Sequence, residues 1–194
     1  MHEQLFGTIS EYIPITKEDK DFLTSVFKTK NLRKRQYLLQ AGDVCRYECF
    51  VNEGCLRQYY VDENGQEHVL MFAFENWWTS DMHSFVTGKP SLTNIEAIED
   101  ASLLLIEKEN LNQLYLRIPA FERFFRIKLQ RAFIAHQMRL IENMSLPADT
   151  RYQNFIEAYP QLEQRIPQKH IASYLGIAPE SLSRIRAQYN KRNK

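Results

Sequence analysis

Three polar side chains with the chemistry to contact DNA bases are spaced along the last predicted helix of the chain. Glu180, Ser183 and Arg184 fall on one side of that helix, at three- and four-residue steps. An arginine can donate two parallel hydrogen bonds to guanine, a glutamate can accept one from cytosine, and a serine can contact a base or a phosphate. Glu180 also suits the positive end of the helix dipole, and the two roles are compatible. We predict that these three residues contact base edges.

The end of the chain that carries these side chains is strongly basic. Residues 165–194 hold seven lysines and arginines and one acidic residue, whereas the whole chain has a net charge of only +1. Such an asymmetry favours a polyanionic partner for the basic end, although a solvated tail would show the same charge. Phosphate contacts position a protein on DNA without reading its sequence. We predict them from Lys169, His170, Ser181, Arg186, Lys191 and Arg192.

Residues 168–187 fit a helix-turn-helix, the element that would present the base-contacting side chains. Gly176 falls where the tight turn needs a residue that accepts a positive φ, and Pro179 falls in the first turn of the second helix. The positions that would pack the two helices together are Ile171, Ala172, Leu175, Ile177, Leu182 and Ile185. This pattern predicts a DNA-binding protein in which the second helix enters the major groove.

The first two thirds of the chain must fold into a different kind of structure. Thr16 can cap an N-terminal helix. From about residue 32 to residue 106, short apolar runs alternate with turn signals, which predicts an antiparallel sandwich or roll. Within this stretch, Asn64-Gly65 is a strong hairpin signal because both residue types tolerate positive φ.

A long helix is predicted between these two regions, from Pro119 to about residue 143. Its apolar residues fall mainly at three- and four-residue steps, and its length would be about 37 Å. It is either a core helix on the β region or an interface with a second copy of the chain. We favour both roles together, one face for each partner. A short helix should follow over 150–159.

The chain resembles the Crp/Fnr family of bacterial regulators in two places. Residues 41–43, 50–54 and 62–67 resemble strand-and-turn signatures of the cyclic-nucleotide-binding β-roll, and residues 171–186 resemble the family's DNA reader. The pattern Glu180-x-x-Ser183-Arg184 resembles the base-contacting signature of the Fnr branch. The resemblance implies a homodimer on double-stranded DNA, with two-fold-related, TGA-like half-sites.

The same resemblance implies an α+β fold in three parts. Residues 1–118 would form a cyclic-nucleotide-binding-like sensor, an antiparallel β-roll or double-stranded β-helix. Residues 119–145 would form a long dimerisation helix. Residues 146–194 would form a C-terminal helix-turn-helix domain, winged-helix-like with a short or absent wing because few residues follow the second helix.

The stretch that would match the family's phosphate-binding cassette departs from the family pattern. It contains no Gly-Glu pair, and no arginine lies between Arg57 and Arg117. Lysine offers a point charge without the planar fork that suits a phosphate. We therefore expect no tight binding of cAMP. Candidate effector-pocket residues are Trp77, Trp78 and Lys89, and the identity of an effector stays open.

Cofactor and metal chemistry are not expected. Cys45, Cys49 and Cys55 are odd in number and lack the paired spacing of a structural zinc site, so reduced thiols are favoured over a redox or metal sensor. No cysteine lies in residues 1–44, where the Fnr branch carries its iron–sulfur ligands. A cupin-like enzyme would need more ligands than His68 and His83 provide.

The remaining expectations concern location and a competing function. No apolar run approaches the ~20 residues needed to cross a bilayer, and the N-terminus lacks a signal-peptide pattern, so we expect a cytoplasmic protein. The competing function is a regulatory module that binds a small molecule or a protein and whose helix-turn-helix does not bind DNA.

Overall fold

The computed structural model describes residues 2–192, with the side chain of Arg192 outside that description, and divides the chain into two units. The N-terminal unit comprises Met1–Tyr60 with Met71–Leu129, and the C-terminal unit comprises Val61–Leu70 with Gln130–Lys194. The C-terminal unit thus contains the tip of a β-hairpin in addition to the end of the chain. No local sequence pattern predicts that association.

Two four-stranded antiparallel sheets form the β region. The first has the order β1-β8-β3-β6 and the second the order β2-β7-β4-β5. The strands are β1 (Lys28–Leu32), β2 (Tyr37–Leu39), β3 (Tyr47–Glu53), β4 (Leu56–Val61), β5 (Glu67–Ala73), β6 (Trp78–Thr79), β7 (Thr93–Ala97) and β8 (Ala101–Glu107). The prediction of an antiparallel roll is confirmed.

Four helices belong wholly to the N-terminal unit: α1 (Glu3–Ser10), α2 (Lys17–Val26), α3 (Met82–Thr87) and α4 (Lys108–Arg117). Thr16 caps α2 as predicted, in a capping box with Asp19. Asp81 caps α3 by accepting a hydrogen bond from the backbone N–H of Ser84, and Gly88 ends that helix in the left-handed conformation.

The long helix α5 (Pro119–Ser145) begins at the predicted proline; it ends two residues past the end indicated by its apolar periodicity and at the residue implied by the family resemblance. Its first turns are buried in the N-terminal unit, where Phe121, Phe124 and Phe125 join the apolar core. Trp78 makes edge contacts with Phe124 and Phe125 there. The start of α5 is therefore a core helix.

The rest of the C-terminal unit is helical: α6 (Ala148–Ala158), α7 (Leu162–Arg165), α8 (Gln168–Leu175) and α9 (Pro179–Arg192). The turn between α8 and α9 passes through Gly176 at φ +62°, the conformation predicted for it. Ile171, Leu175 and Leu182 are buried where the two helices pack together. The helix-turn-helix is confirmed, and α9 continues to the last residue that the structure describes.

Candidate nucleic-acid interface

The first two turns of α9 present the three predicted base-contacting side chains to solvent. Glu180, Ser183 and Arg184 are all exposed, whereas Leu182 on the other side of the helix is only 1% exposed. We call the three exposed residues the recognition face. A guanidinium nitrogen of Arg184 donates to the hydroxyl of Ser181, 3.3 Å away and one turn earlier. The face combines a carboxylate, a hydroxyl and a guanidinium, which suits the mixed donors and acceptors of base edges.

An arginine that sequence reasoning missed fixes the turn between α8 and α9. Arg151 on α6 donates to the backbone carbonyl of Leu175, 2.6 Å away, and so satisfies a carbonyl left open at the end of α8. A second contact of 3.3 Å joins Arg151 to the Asn143 side chain on α5. Because Arg151 lies 24 residues before Leu175 in the chain, the local pattern of the helix-turn-helix could not reveal it.

A second polar network holds α9 against α6 and α7. Glu163 accepts hydrogen bonds from the Tyr152 hydroxyl at 2.6 Å and from Nε of Arg186 at 2.8 Å. Burial, and then the hydrogen bond to Glu163, raises the pKa of Tyr152. Arg186 was predicted to contact a phosphate, but its guanidinium is engaged by Glu163 inside the unit. We therefore expect a structural role for Arg186, and its phosphate contact stays an untested prediction.

The other residues predicted to contact phosphates differ in exposure. Lys169 and Lys191 are exposed where a phosphate could reach them, and the Arg192 side chain lies outside the described residues. His170 is only 8% exposed and its Nδ1 lies 4.0 Å from a carboxylate oxygen of Glu67, so burial removes it from the phosphate contacts. Ser181 is half-buried and its hydroxyl accepts from the recognition face.

The three candidate effector residues do not form one site. The Trp78 ring packs against Phe27 and Phe50 as well as the start of α5, so it is a core residue. The Trp77 ring packs against Phe74 in a tilted arrangement with ring centroids 4.5 Å apart, and Lys89 is exposed. A cleft of about 340 Å³ in the N-terminal unit contains none of the three. Its lining is Tyr37, Leu38, Leu39, Gln40, Asp43, Val44, Cys45, Arg46, Tyr47, Ser80 and Ile95.

Four polar residues within 77–93, the stretch that would match the family's phosphate cassette, form a buried cluster linked by hydrogen bonds: Asp81, Ser84, Ser91 and Thr93. A carboxylate oxygen of Asp81 accepts from the hydroxyls of Ser91 at 2.6 Å and Thr93 at 3.0 Å, and its other oxygen accepts from the Ser84 backbone at 3.0 Å. Burial opposes the charge of Asp81, but these three hydrogen bonds hold its pKa below the usual value. We call these four residues the Asp81 cluster. Where a phosphate would need donors, the donors here are occupied by a protein carboxylate.

The three cysteines are buried free thiols. Burial raises the pKa of Cys45 and of Cys49, which keeps both as poorly reactive thiols. Among residues 2–192 no group of three or more histidine, cysteine, aspartate or glutamate side chains is arranged to hold a metal ion. In the same residues no helix has the length and apolar character that a membrane crossing requires.

Beyond its buried start, α5 carries a row of exposed apolar side chains. Phe133 is 68% exposed and Met144 is 81% exposed, although both are large and apolar. The complete set on this helix is Leu129, Phe133, Ile134, Met138, Leu140, Ile141 and Met144. Large apolar side chains clustered on a surface usually mark a contact with another macromolecule.

Comparison with known proteins agrees with this architecture. Residues 29–117 match the family model for the cyclic nucleotide-binding domain. The transcriptional activator protein Anr of Pseudomonas protegens is 22% identical over 191 residues, which cover 92% of this chain and 78% of Anr.

Two solved structures are similar in fold over most of the chain. FixK2 from Bradyrhizobium japonicum superimposes with a TM-score of 0.77 at 17% identity, over 87% of this chain and 86% of FixK2. A Crp/Fnr-family transcriptional regulator from Eubacterium rectale superimposes with a TM-score of 0.70 at 18% identity, over 94% of this chain and 88% of that one.

Proposed function

We propose that the chain is a transcription regulator of the Crp/Fnr family rather than an enzyme, and that it binds specific DNA sequences as a homodimer. The observation that carries this proposal is the recognition face. Three side chains suited to base edges are exposed on the first two turns of α9, while the opposite side of the helix is buried. Residues near the start of a recognition helix are the ones that reach base edges in the major groove.

Each exposed side chain then has a defined role. Arg184 donates to guanine O6 and N7, Glu180 accepts from cytosine N4, and Ser183 contacts a neighbouring base or phosphate, as a TGA-like half-site requires. Lys169 and Lys191 neutralise phosphates on either side. Because the target is chromosomal DNA, we place the protein in the bacterial cytoplasm.

A second copy of the chain is the proposed partner of the exposed apolar row on α5. The seven large side chains of that row recur over about four turns of one helix, which is the arrangement of a helix-to-helix interface. A two-fold pair built on α5 would present two recognition faces to two half-sites.

The dimer can be tested on α5 itself. Phe133→Glu places a charge in the apolar row, and Ala135→Glu places the same charge on the far side of the helix, where the residue is also exposed. Analytical ultracentrifugation should show a monomer for the first variant and a dimer for the second. A dimer in both variants would remove the apolar row from the proposed interface.

We further propose that the protein does not respond to cAMP. The Asp81 cluster lies in the stretch that would match the phosphate cassette, and the hydroxyls of Ser91 and Thr93 donate to the Asp81 carboxylate. Arg57 lies on β4, the strand beside β7, and is buried. Its Nε donates to Glu96 at 2.9 Å, so its guanidinium is already engaged by a carboxylate of the protein. Calorimetric titration with cAMP should therefore give no heat of binding at micromolar concentrations.

Selection of bound fragments from random double-stranded DNA tests the main proposal. We expect enrichment of two-fold-related sites with TGA-like half-sites, and we expect the affinity for those sites to fall steeply as salt rises because phosphate contacts release counterions. Failure of any sequence to be enriched would favour a regulatory module that acts without binding DNA. Enrichment of unrelated half-sites would reject the base contacts assigned above.

A further inference from the structure

Ser173 on helix α8 makes two hydrogen bonds to the tip of the β4–β5 hairpin. The Ser173 hydroxyl donates to the backbone carbonyl of Glu67 at 2.8 Å and accepts from the backbone N–H of Val69 at 2.9 Å. The backbone N–H and C=O groups of residues two apart in a strand point toward the same neighbouring strand. Because β5 is the last strand of its sheet, the groups of Glu67 and Val69 that Ser173 contacts lie on the open edge. Ser173 therefore occupies hydrogen-bonding groups that a neighbouring strand would otherwise fill.

An arginine on α5 extends the same contact. Arg139 donates to the carbonyl of Val69 at 3.3 Å and to the carbonyl of Tyr174 at 3.4 Å, so it bridges the strand edge and α8. Its guanidinium also lies 4.5 Å from the centre of the Tyr174 ring, a cation–π distance. Two helices, α8 and α5, thus bond to three backbone groups of the strand edge: the N–H and carbonyl of Val69 and the carbonyl of Glu67.

The hairpin tip is braced internally, so it can serve as a fixed support. One carboxylate oxygen of Asp62 accepts from the backbone N–H groups of Asn64 and Gln66, each at 2.9 Å. The other lies 2.8 Å from Nε2 of His68. Gly65 takes φ +78°, which closes the turn. These bonds restrict the loop from both ends.

We propose that Ser173 and Arg139 are positioning residues for DNA binding, because they fix α8, and with it α9, against the edge of β5. We call this set of contacts the hairpin clamp: Glu67, Val69, Arg139, Ser173 and Tyr174. The clamp matters to function only if α9 binds DNA as proposed above. It has a positioning role rather than an inhibitory one, because the recognition face remains exposed while the clamp is closed.

Opening the clamp lowers the fraction of molecules with α8 and α9 in the binding orientation, and the apparent affinity falls by that fraction. The affinity for every DNA sequence falls by the same factor, because no base contact changes. This distinguishes a positioning residue from a residue of the recognition face, whose removal changes the order of preferred sequences.

The test compares Ser173→Ala with Ser145→Ala in the full-length protein. Ser145 is a matched control because its hydroxyl bonds within its own helix, to the carbonyl of Ile141. Fluorescence anisotropy with the selected site and a single-base mismatch should show about fivefold to tenfold weaker binding of both DNAs by Ser173→Ala, the effect of removing one or two hydrogen bonds. Ser145→Ala should bind as the wild type does.

Amide hydrogen exchange of Val69, measured by NMR without DNA, follows the clamp directly. Exchange should accelerate in Ser173→Ala and stay unchanged in Ser145→Ala, since Ser173 accepts from that N–H. Ser173→Thr retains a hydroxyl at this position, so its exchange should be as slow as that of the wild type. If Ser173→Ala does not fold, Arg139→Gln, which removes the Val69 carbonyl interaction, takes its place.

The outcomes separate the two proposals. A wild type that selects no DNA sequence rejects the proposed function, and slow Val69 exchange would then still support the contact itself. A wild type that binds its site, with Ser173→Ala equal to it in affinity, rejects the positioning role. A changed order of sequence preference in Ser173→Ala also rejects it, because that result would make Ser173 a base-contacting residue.

Discussion

The Asp81 cluster and the recognition face are both sets of polar side chains, but their surroundings differ. In the cluster, Asp81 accepts three hydrogen bonds from its own chain, and all four residues are buried. On α9, the carboxylate, hydroxyl and guanidinium of the recognition face are exposed on a helix whose other side is buried. Burial with internal partners gives stability, whereas exposure on a rigid helix leaves the hydrogen-bonding capacity for a ligand.

The largest expected effect is on the unfolding free energy and comes from a second buried carboxyl, that of Glu48. The fold favours the charged form of Asp81 but disfavours the charged form of Glu48. Glu48 on β3 is 2% exposed and accepts a hydrogen bond from Ser80 at 2.6 Å. Burial raises the pKa of Glu48 to about 7, although the hydrogen bond from Ser80 opposes the rise. The folded protein therefore favours the neutral acid, and the stability that this group contributes is lost as pH rises from its unfolded pKa through about 7.

Glu48→Gln should remove that pH dependence. Between pH 5 and pH 8 the wild type should lose about 2–3 kcal/mol of unfolding free energy that the variant keeps, as the size of the shift requires. Urea denaturation at both pH values measures the difference, and Glu53→Gln on the exposed end of the same strand is the control. Parallel pH profiles for wild type and Glu48→Gln would show that Glu48 is charged in the folded state.

Asp81→Asn tests the cluster itself. The amide keeps the shape of the side chain but weakens two hydroxyl contacts and the cap of α3, so we expect a decrease of about 2 kcal/mol in the unfolding free energy. Because the charged form of Asp81 is favoured in the fold, the decrease should be present at neutral pH. It should shrink as the pH falls from the usual pKa of an aspartate through the lower pKa that this carboxyl has in the folded protein. Urea denaturation at pH 7 and pH 3 measures it.

The relative order of DNA sequences bound by Asp81→Asn should stay that of the wild type. A stable variant with a changed sequence preference would contradict the view that the cluster is structural.

Arg184→Ala should give the reverse result. Its side chain is exposed and bonds to Ser181 at the long distance of 3.3 Å, so removing it should leave the thermal midpoint nearly unchanged. Discrimination at the guanine of the half-site should fall by about 1–2 kcal/mol, roughly tenfold, as expected for one bidentate contact. Anisotropy titrations with guanine-substituted sites measure this, and Arg33→Ala, an exposed arginine of the N-terminal unit, is the control. Undiminished discrimination would place the base contacts elsewhere.

The features predicted correctly from the sequence are those set by neighbouring residues. Thr16, Gly176 and Pro119 were assigned from local rules for capping, positive φ and the first helical turn, and the structure confirms each of them. Helix periodicity also separated buried Leu182 from exposed Arg184 on α9.

The features that were missed depend on partners distant in the chain. Arg186 has the charge of a phosphate contact, and only the fold shows that Glu163, 23 residues earlier, engages it. Ser173 meets Glu67 across 106 residues, a separation at which no sequence pattern marks the contact. The composition of residues 165–194 could show that the region is basic, but not which of its cations are used internally.

The smallest expected effect on DNA affinity comes from Lys191. Comparing it with Arg186 distinguishes a cation available to phosphates from a cation that is paired within the protein. Lys191 is exposed on α9, whereas Arg186 on the same helix donates to Glu163. Lys191→Ala should weaken binding to all sequences by a similar small factor and reduce the slope of log affinity against log salt by about 1 for each phosphate interaction removed. Arg186→Ala should instead lower the thermal midpoint. The slope of log affinity against log salt, measured where this variant is folded, should equal that of the wild type. If Arg186→Ala reduced the slope and Lys191→Ala did not, the internal pair with Glu163 would have to open on DNA, and the charge of Arg186 would belong to the interface after all.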